Sequence, residues 1–135
     1  MLEVSPIAKK ILFVDDEPGY VRAVTYVLQK EGYEVITASN GLQGLIKAQK
    51  EKPDLVILDV MLPGIDGFEV CSRLRSDPRT SAIPIIMLSA KGQDADRTTG
   101  LTLGALEYLT KPVQNSVLLA SITAALKESP PASGS

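Results

Sequence analysis

Five short apolar runs punctuate this chain, and their spacing fixes what it can become. They are "ILFV" (11–14), "YEVITA" (33–38), "DLVILD" (54–59), "IPIIML" (83–88) and "EYLT" (107–110). The first, third and fourth lack polar alternation, the pattern of strands covered on both faces. Longer amphipathic or mixed segments lie between them. The spacing predicts helices over Pro18 to Lys30, Leu42 to Glu51, Gly67 to Ser76, Asp94 to Leu103 and Asn115 to Lys127. In the first, Val21, Val24 and Leu28 share a face, with Pro18 suited to the first turn and Gly32 to the end. The fourth is the weakest, since it carries Thr98, Thr99 and Thr102, and Gly100 costs about 1 kcal/mol against alanine in a helix interior. Strands alternating with helices predict an α/β fold: a parallel sheet wrapped on both faces by right-handed crossovers.

At 135 residues the chain has room for one domain with a real core. That domain is expected over residues 9–127, after an N-terminal extension (1–8) and before a small, Pro-rich segment, "ESPPASGS" (128–135), read as a flexible tail or a truncated linker. No apolar run reaches about 18 residues, so no membrane span is expected. "MLEVSPIAKK" has no signal-peptide core. A single cysteine, Cys71, has no internal disulfide partner, which fits a cytoplasmic protein, and it reads as a small buried filler. A net charge of −2 provides no basic footprint for nucleic acid. Histidine is absent, which removes histidine acid–base catalysis, most zinc sites and any phosphohistidine relay within the chain.

Ligands of doubly wound folds bind beyond the carboxyl ends of the strands. Those ends carry Asp15 and Asp16, then Asp59, then Ser89, then Lys111, while the second strand ends on the uncharged Thr37 and Ala38. Three carboxylates packed together repel unless something offsets them. Hard oxygen ligands on a shallow edge suit Mg²⁺. A carboxylate such as Asp59 can act as a nucleophile toward a phosphoryl group, and phosphoryl transfer needs mainly positioning and charge neutralisation. Singly, each residue has a plainer reading: the acids as caps or solvated loop residues, Ser89 as a turn residue, Lys111 as a surface lysine, Tyr108 as packing. Together, at four of five strand ends, they read as one site.

These segments resemble the receiver domain of two-component response regulators over about residues 9 to 127. "ILFVDDEPG" is similar to the family's acidic pair, "PDLVILDVMLPGIDGFEV" to its phosphoacceptor strand and the loop after it, "IPIIMLSAKG" to its Ser/Thr segment, and "GALEYLTKPV" to its aromatic–x–x–Lys–Pro segment. The resemblance implies a flavodoxin-like sheet in the order 2-1-3-4-5. It implies that Asp59 accepts a phosphoryl group, that Asp16, Asp59 and the Met61 backbone carbonyl hold Mg²⁺, and that Asp15 assists through water. Ser89 and Lys111 would bind phosphoryl oxygens, Tyr108 would switch together with Ser89, Pro112 would follow a cis peptide bond, and Met61 and Lys91 would tune the phosphoryl lifetime. The implied partner is a histidine kinase or a histidine phosphotransfer protein, and the domain would be a phosphoacceptor, not an enzyme acting on a separate substrate. Two features depart from many members. Leu106 and Glu107 stand where two acids are common, and the last helix lacks arginines.

Two other classes were open on the residues. A haloacid-dehalogenase-like phosphatase uses similar groups, but with its nucleophile in the first motif and its acid pair late, the reverse of the order here. A nucleotide- or flavin-binding module would want a glycine-rich phosphate loop where "DDEPG" stands. The last helix has no charged residue between Lys111 and Lys127. Its periodicity predicts Leu118, Leu119, Ile122 and Leu126 against the sheet and Val117, Ala120, Ser121 and Ala124 outward, a stripe that with Leu106 suits an output protein or a homodimer partner.

Overall fold

The computed structural model describes residues 8–128. The elements are β1 (Lys10–Val14), α1 (Pro18–Lys30), β2 (Glu34–Ala38), α2 (Gly41–Glu51), β3 (Leu55–Leu58), α3 (Gly67–Ser76), β4 (Ile85–Ser89), α4 (Asp94–Thr102), β5 (Glu107–Thr110) and α5 (Asn115–Glu128). All strand pairs are parallel, in the order β2-β1-β3-β4-β5. Every expected element is present, with ends displaced by no more than two residues. α5 runs one residue into the segment read as a tail. Otherwise the expected tail and, apart from Ala8, the N-terminal extension lie outside the described residues.

The unalternating runs are explained by double coverage. Successive side chains of a strand point to opposite faces. Ile11, Phe13, Leu55, Ile57, Ile86 and Leu88 pack against Val24 and Leu28 of α1 and Leu118 and Ile122 of α5. Leu12, Val14, Val56, Leu58, Ile85 and Met87 pack on the other side with Leu45 and Ala48 of α2 and Val70, Cys71 and Leu74 of α3. Both faces of β1, β3 and β4 are therefore dry. Cys71 is fully buried, and burial, opposed by Arg75, pushes its thiol up, so it behaves as a filler.

Tertiary packing answers two questions the local pattern left. Gly100, unfavourable in a helix by propensity, is where α4 meets the sheet: a Cβ there would lie 2.8 Å from Met87 Sδ and 2.9 Å from Tyr108 Cδ2. Arg75 was given no role by the sequence. Its guanidinium donates to the carbonyls of Gly104 (2.8 Å), Ile83 (2.8 Å) and Ser81 (2.5 Å), tying the end of α3 to the segment entering β4 and the turn after α4.

One expectation for α5 is corrected. Ser121 is buried, not outward. Leu118, Ile122 and Ala125 form the innermost line of the helix, and Ser121 lies close enough to that line to be covered with it, so the exposed stripe is Val117, Ala120 and Ala124. A 3.6-residue wheel assigns faces but not the width of the buried stripe, which the docking angle sets.

The tightest backbone approach lies beside the strand end that carries Asp59. A Cβ on Gly67 would stand 2.1 Å from the Asp59 carbonyl oxygen and 2.7 Å from Val60 Cα, whereas one on Gly19 meets nothing within 4 Å. Gly67→Ala should therefore lose about 2–3 kcal/mol in urea unfolding, because only backbone can move to admit the methyl. Gly19→Ala in α1 should change stability by no more than about 1 kcal/mol, in the stabilising direction. Equal effects of the two would show that the close approach is not limiting.

Candidate functional site

Three site residues continue the sheet by one rung beyond its strands. The Asp15 N–H donates to the Ala38 carbonyl at 3.0 Å, the Asp59 N–H to the Val14 carbonyl at 3.0 Å, and the Lys111 N–H to the Ser89 carbonyl at 2.8 Å. Their side chains thus leave a rigid ladder, not a free loop. Asp15 and Asp59 are buried, Asp16 is exposed, and Ser89 is fully buried.

The carboxylates are partly satisfied by local backbone. Asp15 Oδ1 accepts the Glu17 N–H at 2.9 Å, an Asx turn that shapes the entry to α1. Asp59 Oδ1 accepts the Met61 N–H at 3.2 Å. The remaining charge is met by one cation. Lys111 Nζ lies 2.8 Å from Asp15 Oδ2, 3.2 Å from Glu17 Oε1 and 3.4 Å from Asp59 Oδ2, its side chain only 12% exposed. One ligand oxygen each from Asp15, Asp16 and Asp59 falls within 4.8 Å of the others. A cleft of about 220 Å³ opens here, lined by Asp16, Glu17, Asp59, Met61, Ala90 and Lys111.

The charges perturb one another in a definite sense. Burial pushes the Asp59 carboxyl up; Lys111 and the Met61 N–H oppose this, and the Asp15 charge reinforces it. Burial works against the Lys111 ammonium, yet the hydrogen bond to Asp15, the charges of Asp59 and Asp15, and the hydrogen bond to Glu17 outweigh it, so Lys111 is raised and stays protonated. One ammonium facing three carboxylates leaves a negative deficit. That deficit, on hard oxygens in an open cleft, is the chemistry a small divalent cation fits.

Ser89 and Tyr108 lie deeper, on β4 and β5. The Ser89 hydroxyl accepts the Lys91 N–H at 3.2 Å. Tyr108 is turned inward with its ring buried, and its hydroxyl donates to the Lys91 carbonyl. The Arg97 guanidinium sits 5.5 Å from the centre of that ring and donates to the Tyr108 carbonyl at 2.5 Å. Lys91 Nζ is 3.9 Å from Asp96, Met61 is 56% exposed at the cleft, and the Lys111–Pro112 peptide bond is cis. Asp15, Asp16, Asp59, Met61, Ser89, Lys91, Tyr108 and Lys111 are thus at the carboxyl edge of the sheet or directly behind it.

Two groups that touch Lys111 escaped the sequence reading of roles. Glu17 stood in view as the third acid of "DDE", and only the fold shows that it turns to Lys111 instead of capping α1. Tyr20 lies with its ring centroid 4.5 Å from Lys111 Nζ. Its position in the first turn of a helix that begins right after the acids was the one available signal.

Residues 11–123 match the response regulator receiver domain family. The chain belongs to that family. It is 50% identical over 121 residues to the alkaline phosphatase synthesis transcriptional regulatory protein PhoP of Bacillus subtilis (strain 168), covering 90% of this chain and 50% of PhoP. The chain thus spans half the length of that relative. A putative response regulator from Chloroflexus aurantiacus J-10-fl superimposes with a TM-score of 0.87 at 37% identity, covering 90% of this chain and all of the other. The receiver domain of a sensor histidine kinase from Pseudomonas aeruginosa PAO1, solved with a magnesium ion coordinated in its active-site cleft, superimposes with a TM-score of 0.84 at 27% identity, covering 90% of this chain and 100% of that domain. The receiver-domain assignment leaves the phosphatase and nucleotide-module readings without support.

The raised Asp59 carboxyl carries a pH signature. A carboxyl raised on folding favours the folded state below its ordinary range, and this contribution is lost as pH rises through the folded value. In metal-free protein the ionised Asp59 is therefore a liability at neutral pH. Asp59→Asn should raise the midpoint of unfolding in a chelator at about pH 7, and the gain should shrink toward about pH 4 as the wild-type carboxyl takes up its proton. A gain that is equal at both pH values would assign the effect to something other than this charge.

Proposed function

We propose that Asp59 is the phosphoacceptor of this receiver domain and that a histidine kinase or a histidine phosphotransfer protein is its donor. The observation that carries the reading is the meeting of Asp59, two further aspartates and the Lys111 ammonium at one sheet edge. An Asp59 carboxylate oxygen attacks the phosphorus, the bond from phosphorus to the donor's imidazole nitrogen breaks, and an acyl phosphate forms on Asp59. Lys111 moves its hydrogen bond from the carboxylate to a phosphoryl oxygen, and Ser89 donates its hydroxyl to another once it releases its present contacts. Mg²⁺ would be held by Asp16, Asp59 and the Met61 carbonyl, with Asp15 acting through water, and when bound it supplies charge neutralisation. The presence of magnesium in the cleft of the related Pseudomonas receiver domain supports this choice of metal.

The domain acts as a switch, not as a catalyst turning over a separate substrate, apart from slow loss of its own phosphoryl group. Ser89 and Tyr108 transmit the change, and Met61 and Lys91, beside the site, set its duration. The output face comprises α4, β5 and α5, where Leu101, Leu106 and Val117 are 44–45% exposed beside the uncharged Ala120 and Ala124. It would receive an output protein or a second copy; nothing in the chain's charge suits direct nucleic-acid binding. Among the described residues no helix is long and apolar enough to cross a membrane. A cytoplasmic location fits this role and a single buried thiol.

Two measurements test the reading. Intact-protein mass after incubation with a small phosphodonor should show one added phosphoryl group only when Mg²⁺ is present. Asp59→Asn should abolish it and Asp16→Ala should weaken its Mg²⁺ dependence; a fully labelled Asp59→Asn variant would refute the assignment. Association of the phosphorylated chain, followed by light scattering with and without its partner, should weaken in Ala120→Glu while labelling persists. Unchanged association, or association that falls with added salt as ion pairs do, would remove α5 from the docking face.

A further inference from the structure

Tyr20 is the third residue of α1, directly behind the acidic loop. Its ring packs edge-on against Phe13 of β1, with centroids 6.1 Å apart and planes at 67°. Phe13 is 0% exposed, so the sheet itself braces the tyrosine. The face of the braced ring is turned to Lys111, whose Nζ stands 4.5 Å from the centroid. Burial, with Lys111 opposing and the neighbouring carboxylates reinforcing, holds the phenol above its ordinary range, so the ring stays neutral.

The ammonium has three N–H donors, and three carboxylates contact it: Asp15 most closely, Asp59 most loosely. For Lys111 to serve a phosphoryl group on Asp59 it must exchange hydrogen-bond partners without leaving the cleft. A lysine is poorly suited to that unaided, because its head is strongly hydrated and its four-carbon stem is flexible. Carboxylate partners cannot help, since each one fixes a donor. An aromatic face attracts the cation as a whole and engages no particular N–H, so it holds position while leaving the donors free to turn.

We propose that Tyr20 is the positioning residue for Lys111: its ring face keeps the ammonium at the carboxylate cluster while the hydrogen bond passes from Asp59 to a phosphoryl oxygen. This role presupposes Asp59 as the phosphoacceptor. The ring substitutes for a fixed partner during the exchange, and the hydroxyl plays no part in it.

The test uses the full chain with Tyr20→Leu and Tyr20→Phe, and Tyr20→Met in addition so that loss of folding in the leucine variant leaves the question open to measurement. The first readout needs no phosphorylation: the Lys111 side-chain methylene protons, assigned by their disappearance in Lys111→Met, should be shifted upfield by the ring in wild type and Tyr20→Phe and should lose that shift in Tyr20→Leu and Tyr20→Met. The second is the rate of phosphoryl uptake from a small phosphodonor at saturating Mg²⁺. Uptake should slow about three- to tenfold in the leucine and methionine variants and recover in the phenylalanine variant, the loss expected for one partly desolvated cation–ring contact. Wild-type rates in Tyr20→Leu and Tyr20→Met, or a Tyr20→Phe variant as slow as either, would overturn the proposal. A wild-type chain that takes no label, with the Lys111 shift intact, would instead overturn the phosphoacceptor reading and leave the ring–ammonium contact standing.

Discussion

The Lys111 ammonium is the charge around which this domain is arranged. Parallel strands ending together bring the buried Asp15 and Asp59 to one edge, where like charges repel. A single cation arriving from the end of β5 contacts both and Glu17 as well. Removing the lysine would leave the buried acids without their cation, whereas removing one acid leaves the lysine two others. The negative charge that remains on hard oxygens is of the kind a small divalent cation offsets.

From that edge a continuous path of packed groups leads to the far side. The Lys91 backbone links Ser89 and Tyr108, its N–H donating to the Ser89 hydroxyl and its carbonyl accepting from the Tyr108 hydroxyl. Arg97 of α4 covers the Tyr108 ring and holds its carbonyl. Gly100, one turn along α4, permits the close approach of that helix to Met87 and Tyr108. These contacts connect the Ser89 hydroxyl, through Lys91 and Tyr108, to a helix whose only buried residue is that glycine. A helix anchored so lightly is suited to shift.

The sheet, its helices and most of the site could be read from the chain because they follow from local periodicity. Unalternating runs in β1, β3 and β4 meant two covered faces, and the strand ends then placed Asp15, Asp16, Asp59, Ser89 and Lys111 together. What escaped was set by contacts between residues far apart. Ser121 was placed on the wrong side because the wheel cannot know the breadth of the buried stripe. Glu17 reaches Lys111 across 94 positions of sequence and Arg75 reaches Gly104 across 29.

Sequence by itself determined the α/β alternation, the identity of the acids, and their arrival at one edge, since each depends only on strand period and on the direction every parallel strand must share. Tertiary structure alone decided which of those acids is buried, which faces Lys111 and what else touches it. Asp15 and Asp16 are adjacent and chemically identical, yet the pleat sends one into the dry edge beside the lysine and the other out to water. Tyr20 is likewise an ordinary helix residue until Phe13 fixes its ring beneath the ammonium. The physical reason is the same in each case: an ion pair or a cation–ring attraction depends on distance and desolvation, and both are set only when the chain has closed on itself.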